Sequence, residues 1–266
     1  MKKTITYKKN KLKIAFTLAE VLIVIGIIGM IADLTLPNLI KTFQKQQYVT
    51  ALKKAYSEFN QALIMLANDM GCPGDLKCTG LFDGNSNFSA NANQNLGKEI
   101  IKYFKVTKNC ETNASGKTTY GCFSNNILYD YNANPSQSGD YDDPQYYRFI
   151  ILSGSSFRIL NGNNNCSYNP SLPGLNGNLT QVCGTVMIDV NGPQKGPNSI
   201  GRDVFVFHIA NGKGPKLHPY GSSETSSWWK DPDTNQIRYC DPADINTNNG
   251  SACTARIIEE GWQMNY

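Results

Sequence analysis

Hydrophobic side chains fall into three patterns along this chain. From Val21 to Ala32 they run on, broken only by Gly26 and Gly29, and the stretch from Phe16 to Leu36 is 21 residues. At 1.5 Å per residue such a helix crosses a hydrocarbon layer of about 30 Å. Beyond Pro37 the run becomes a rhythm. Val49, Leu52, Tyr56, Phe59, Leu63, Leu66 and Met70 alternate steps of three and four, which predicts an amphipathic helix with one apolar stripe. A coiled-coil seam and a helix lying on a sheet give the same stripe. Helix from Phe16 to about Met70 would be ~80 Å long. Pro37 removes one donor and is expected to kink it, and Gly71-Cys72-Pro73-Gly74 to stop it.

The third pattern is short and alternating. Tyr146–Leu152 and Phe157–Leu160 flank the turn Ser153-Gly154-Ser155-Ser156 and predict a β-hairpin. Val182–Val190 and Val204–Ile209 predict two more strands around a Gly/Pro/Asn loop. Residues 72–145 read as loop-dominated surface, with Asn-rich stretches at Asp83–Asn95 and Asn132–Asp143 and one short helical candidate at Leu96–Lys105. The tail from Gly221 reads as a stapled loop holding Trp228, Trp229 and Trp262. The fold class expected is α+β, a long N-terminal helix packed on an antiparallel sheet.

Charge sharpens the N-terminal reading. Lys2, Lys3, Lys8, Lys9, Lys11 and Lys13 crowd the first fifteen residues with no acidic partner, and without them the formal charge of +4 becomes −2. The body is therefore not basic in bulk, and nucleic acid is not an expected partner; Lys213, Lys216 and His218 are three scattered cations. A secretory signal would need a small-x-small cut after the apolar run, and Leu34-Thr35-Leu36-Pro37-Asn38-Leu39 offers none. Glu20 and Asp33 lie inside the span. A carboxylate in hydrocarbon costs roughly 2.5 to 3.5 kcal/mol at a helix centre, unless it sits at the interface or finds a partner.

Eight cysteines, with no CxxC pair, form an even set: Cys72, Cys78, Cys110, Cys122, Cys166, Cys183, Cys240 and Cys253. Four disulfides in an oxidising compartment are expected, which places the body outside the cytosol. The spacing into close couples favours Cys72 with Cys78, Cys110 with Cys122, Cys166 with Cys183 and Cys240 with Cys253.

Ala15 followed by Phe16-Thr17-Leu18-Ala19-Glu20-Val21-Leu22-Ile23, after a basic leader and before an apolar helix with Pro37 near its end, resembles the processing motif of type IV prepilins and type II secretion pseudopilins. The resemblance implies a leader at 1–15, cut between Ala15 and Phe16 by a prepilin peptidase, and N-methylation of Phe16. It also implies a membrane and assembly helix at 16–37, an amphipathic continuation at 38–71 lying on a sheet, and an extracytoplasmic head at 72–266. Most family members carry glycine where this chain has Ala15. Expected partners are copies of itself, other pilins or pseudopilins and an inner-membrane assembly platform. The chain would be single-pass in a bacterial inner membrane before entering a periplasmic or cell-surface filament. The leader lysines agree with the positive-inside rule.

The cation freed at Phe16 starts the helix that carries Glu20 one turn later. An assembly role for Glu20 follows, by pairing with its own terminus or that of an incoming subunit. No GxSxG, HExxH or phosphate-binding glycine loop is present, so an enzyme is not expected. The alternative is a membrane-tethered binding protein or enzyme with a pilin-like signal. No cofactor is required by this reading. One stretch, Asp189-Val190-Asn191-Gly192 through Asp203, offers hard oxygens around a glycine-rich turn and is a candidate Ca2+ site; an Asx-stabilised β-turn explains the same residues. Tyr129, Tyr131, Tyr141, Tyr146 and Tyr147 are candidates for a contact surface.

Overall fold

A start signal and a stop signal bound one uninterrupted helix, α1, Leu18–Asp69. At its end Gly71 adopts φ +73°; Gly71 N–H donates to the Asn68 carbonyl (3.0 Å) and Cys72 N–H to that of Ala67 (2.8 Å). That pair of bonds is the Schellman arrangement, which needs a left-handed residue where this chain has glycine. Pro37 is carried inside the helix and does not end it. The computed structural model describes residues 17–82, 89–115, 121–123, 143, 145–162, 164–168, 179–222, 229–231, 234–241, 243 and 250–266. They divide into two units, the described residues up to Gln44 and those from Lys45 on, with α1 contributing to both.

In the first unit the helix is apolar all round and uncovered: Leu18, Val24, Ile28 and Leu34 are 53–80% exposed. It holds an 18-residue window of mean hydropathy 2.2, none of it buried, and is long and apolar enough to cross a membrane.

In the second unit α1 lays one stripe, Val49, Leu52, Phe59, Leu63 and Leu66 with Ala55, Ala62 and Ala67, into the core. Its partner is a six-stranded antiparallel meander in chain order: β1 Val106–Glu111, β2 Tyr147–Ile151, β3 Ser156–Asn161, β4 Val182–Asp189, β5 Val204–Ala210 and β6 Lys216–Pro219. Alternate residues, Phe149 on β2, Phe157 on β3, Ile188 on β4 and Phe207 on β5, share that core. Phe149 and Phe157 stack at 5.1 Å, and Phe59 reaches Phe157 at 5.7 Å. Helix on sheet is thus the answer to the seam, and the α+β class stands.

Several elements depart from expectation. β1 runs through the stretch read as loop, and α2, Ala90–Ile100, starts six residues before the helical candidate at Leu96. Two of its polar residues are structural: Asn93 Nδ2 donates to the Gln145 carbonyl (2.9 Å), its Oδ1 accepts from Asn161 N–H (2.6 Å), and Gln94 Oε1 accepts from Thr112 N–H (2.9 Å). The tail contains α3, Cys253–Glu259, whose Ile257 joins the core. Trp262 packs edge-on against Tyr56 at 5.5 Å; Trp228 lies outside the described residues. Disulfides join Cys72 to Cys78, Cys110 to Cys122, Cys166 to Cys183 and Cys240 to Cys253. Each closes a short loop, and Cys166 with Cys183 does so within the main core; this type of constraint is worth about 2–4 kcal/mol.

Two predictions follow from this packing. A Cβ built on Gly97 of α2 falls 1.9 Å from Cγ of the fully buried Tyr147. Gly97→Ala should gain up to about 1 kcal/mol of helix propensity but lose roughly 1–3 kcal/mol to overpacking. Denaturant unfolding should therefore show net destabilisation, and a more stable Gly97→Ala protein would contradict the α2–β2 contact. On β5, His208 is buried opposite His218 of β6, with the Tyr220 ring 5.2 Å away. Burial, with the neighbouring His218 charge second, pushes His208 down from 6.5 to about 4. A folded value below the unfolded one makes the neutral form the native form. Its stabilisation is complete above pH 6.5 and drains as pH falls toward 4. The unfolding midpoint should drop across that window, and His208→Gln should flatten the drop.

Candidate functional site

At the amino end of α1, Thr17 is the N-cap and Glu20 the third helical residue. Thr17 N–H and Oγ1 donate to Glu20 Oε2 (2.8 and 2.9 Å), and Glu20 N–H donates to Thr17 Oγ1 (3.2 Å). This is a reciprocal capping box, which satisfies two orphan backbone donors at once. The Thr-x-x-Glu spacing is visible in the sequence and gives Glu20 a structural job that the charge-pairing expectation did not include. Both side-chain bonds use Oε2, so Oε1 remains for a group outside the helix. Ala15 and Phe16 lie outside the described residues.

The second concentration of chemistry is the connection between β4 and β5. Asp189 ends one strand and Asp203 immediately precedes the next, and both are fully buried. Asp189 Oδ1 accepts from the backbone N–H of Asn191 (3.2 Å) and Gly192 (2.9 Å), the Asx turn that the sequence allows. Gly192 is required there: its φ is +86°, and a Cβ would fall 2.5 Å from the Gly154 carbonyl oxygen. Asp203 accepts from Ser199 N–H (2.7 Å, Oδ1), and from Asn198 N–H (2.9 Å) and Asn191 Nδ2 (3.2 Å), both on Oδ2. The structure thus brings Asp189, Asn191 and Asp203 together in one loop and adds Asn198.

Tyr48, in the first buried turn of α1, completes the surroundings. Its hydroxyl lies against the Asn191 side chain, and it is pushed up first by burial and then by the Asp203 charge. Two carboxylates in so little water repel each other. Burial first, and the Asp203 charge second, push Asp189 up to about 8 despite its backbone bonds; burial likewise raises Asp203.

Acceptors in this loop outnumber donors. Asp189 Oδ2, Asn191 Oδ1 and Asn198 Oδ1 are buried without a hydrogen bond. Ser156 is the cross-strand neighbour of Asp189 and its hydroxyl favours the carboxylate, yet no bond of normal geometry forms, since Ser156 Oγ is itself unpaired. Among the described residues no three His, Cys, Asp or Glu side chains gather as a metal cluster. What the loop offers is two carboxylates with amide oxygens, a hard donor set.

The remaining candidates disperse. Tyr147 is a core residue, not a surface one, because the β2 alternation turns its ring inward; Tyr146 lies under the Arg158 guanidinium at 3.7 Å. Tyr129, Tyr131 and Tyr141 fall outside the described residues. Lys213 and Lys216 are exposed, while His218 is half-buried beside His208. Neither a family model, nor a curated protein, nor a solved structure matches this chain.

Proposed function

We propose that the chain is a structural subunit of a type IV pilus or type II secretion filament, a pilin or pseudopilin, that assembles through its N-terminal helix. The observation that carries the reading is the uncovered apolar surface of Leu18–Ile40, headed by the Thr17–Glu20 box. Such a surface is stable only in lipid or against other helices. A filament core of packed copies supplies the second environment after the membrane has supplied the first. Small gaps at Gly26 and Gly29, where a Cβ would meet nothing within 4 Å of its own chain, give neighbouring helices room to approach. The disulfide-stapled head requires an oxidising compartment, and the lysine-rich leader holds the opposite end in the cytoplasm.

In this reading, cleavage after Ala15 places a new cation at Phe16, beside a carboxylate that still has Oε1 to offer. Glu20 therefore does two things: it caps its own helix through Oε2 and pairs with an amino terminus through Oε1. The two roles separate by substitution. Glu20→Ala loses both, whereas Glu20→Gln keeps the cap, because glutamine serves in a capping box, and loses the charge.

Mass spectrometry of the mature protein should find N-methyl-Phe16 at its start; an intact leader, or a cut after residue 36, would defeat the subunit reading. Immunoblots of cells and sheared filaments should then show Glu20→Gln protein cleaved but unassembled. Normal filament yield from that strain would leave Glu20 with the capping role alone.

A further inference from the structure

We propose that Asp33 and Lys41 form an ion pair between neighbouring copies of this chain, so that the apolar half of α1 meets its partner with a fixed axial stagger. The pairing rests on the filament reading and adds to Glu20 a second contact between copies.

The first ground is charge left over in an apolar helix. Among residues 17–44 the ionisable side chains are Glu20, Asp33 and Lys41. Glu20 is bonded to Thr17 and lies one turn from the amino terminus that cleavage would free, so Asp33 and Lys41 remain. Both are exposed on a stretch whose apolar side chains are uncovered, and neither joins an ion pair among the described residues. They cannot satisfy each other within one helix. Eight residues place them about 12 Å apart along the axis and about 80° apart around it, beyond the three- and four-residue spacings at which helical side chains meet. Asp33 also carries a second acceptor without its usual donor. The helical donor to its carbonyl would be the N–H of residue 37, and Pro37 has none. One lysine ammonium, with three donors, can serve that carbonyl as well as the carboxylate.

The second ground is where the cost of that charge arises. Counted from Phe16, Asp33 lies about 25 Å along the helix, close to the far edge of a hydrocarbon layer about 30 Å thick, where a carboxylate reaches headgroups and water. The bilayer therefore tolerates it alone. Packed among the apolar helices of other copies it has no such outlet, and an unpaired charge there opposes association. The third ground is the stagger. Setting Glu20 of one copy beside the Phe16 terminus of the next raises the next by four residues, about 6 Å. Setting Lys41 of the first beside Asp33 of the next raises it by eight residues, about 12 Å. Both displacements have the same sense, and the extended lysine side chain covers the difference. One axial offset between about 6 and 12 Å thus satisfies both pairs, whereas unstaggered copies would set Asp33 against Asp33 and Lys41 against Lys41.

The test uses the full chain in its native host, with membranes and sheared filaments collected separately. Asp33→Asn and Lys41→Gln should each be cleaved and inserted normally yet lower filament yield about tenfold or more, since each leaves its partner's charge unpaired. Exchanging the charges, Asp33→Lys with Lys41→Asp in one chain, should restore most of that yield. Should these variants fail to insert, crosslinking decides. Chains with Asp33→Cys, co-expressed with chains carrying Lys41→Cys, should be joined by a short bismaleimide, whose reach suits an ion pair longer than a disulfide. The mixed pair should be joined more than chains bearing either substitution alone. Normal filament yield from Asp33→Asn, an inserted exchange variant no better than the single ones, or no preference for the mixed crosslink would overturn the pairing. The two readings fail separately. Mixed crosslinks in membranes without N-methyl-Phe16 or wild-type filaments would remove the filament and keep the pair; filaments of methylated subunits without those crosslinks would do the reverse.

Discussion

The burial of one stripe of α1 against the aromatic face of the meander is the contact on which the head depends. Phe59 stands at its centre, 5.7 Å from Phe157 and 5.8 Å from Phe104, with Phe149 stacked behind. Ala55, Ala62 and Ala67 alternate with the large residues along that stripe, so the helix backbone can approach while Leu52, Leu63 and Leu66 fill the spaces between. Each fully buried Leu or Phe contributes about 1.5–3 kcal/mol. An antiparallel meander of six short strands has no second layer of its own to bury this face. β2 to β6 all send side chains into the shared core, and α2, α3 and Trp262 close its margins.

The same helix obeys a different rule before Lys45. Between Leu18 and Ile40 apolar residues face every direction, and after Lys45 most of them gather on one buried side while Lys53, Lys54 and Glu58, with the exposed Ile64 and Met65, occupy the other. A helix apolar all round belongs in lipid or among other helices, and a striped one belongs on a water-soluble core. The change of pattern falls where contact density divides the chain into two units. One element thus carries two patterns of apolar residues, and its sequence states where the change occurs.

What could be read in advance follows from the strength of each local signal. The α1 stripe and the strands Tyr147–Ile151, Ser156–Asn161, Val182–Asp189 and Val204–Ala210 are rich in aromatic and β-branched residues with clear periods, and they lie close to where those periods predict. β1 reads Val-Thr-Lys-Asn-Cys-Glu and is mostly exposed, so no alternation of burial marks it. α2 opens Ala-Asn-Ala-Asn-Gln-Asn, a composition that favours turns; Asn93 and Gln94 hold it by bonds to chain far away in sequence. β6 follows Gly-Pro and itself ends in Pro219, and α3 is only 7 residues long. In the loop, Asp189, Asn191 and Asp203 announce themselves by spacing. Asn198 hides in a Pro-Asn-Ser turn, and Tyr48 sits in the helix with no local sign that it meets the loop.

The two carboxylate sites share a solution to one problem. Glu20 faces an apolar environment in the reading proposed for its helix, and Asp189 is enclosed by the head. Each turns one oxygen to backbone N–H groups within three residues of itself, Oε2 to Thr17 and Oδ1 to Asn191 and Gly192. Local donors of this kind cost no long-range organisation, since the helix start and the Asx turn already leave those N–H groups unpaired. They stabilise half of each carboxylate. The other oxygen differs between the two: Oε1 of the exposed Glu20 is open to solvent or to a neighbouring chain, whereas Oδ2 of Asp189 meets no hydrogen bond inside the head, where burial favours a proton on the carboxyl. A carboxylate present for capping or turn formation alone would lose nothing on replacement by its amide; one that awaits a cation would lose the association and keep the local fold.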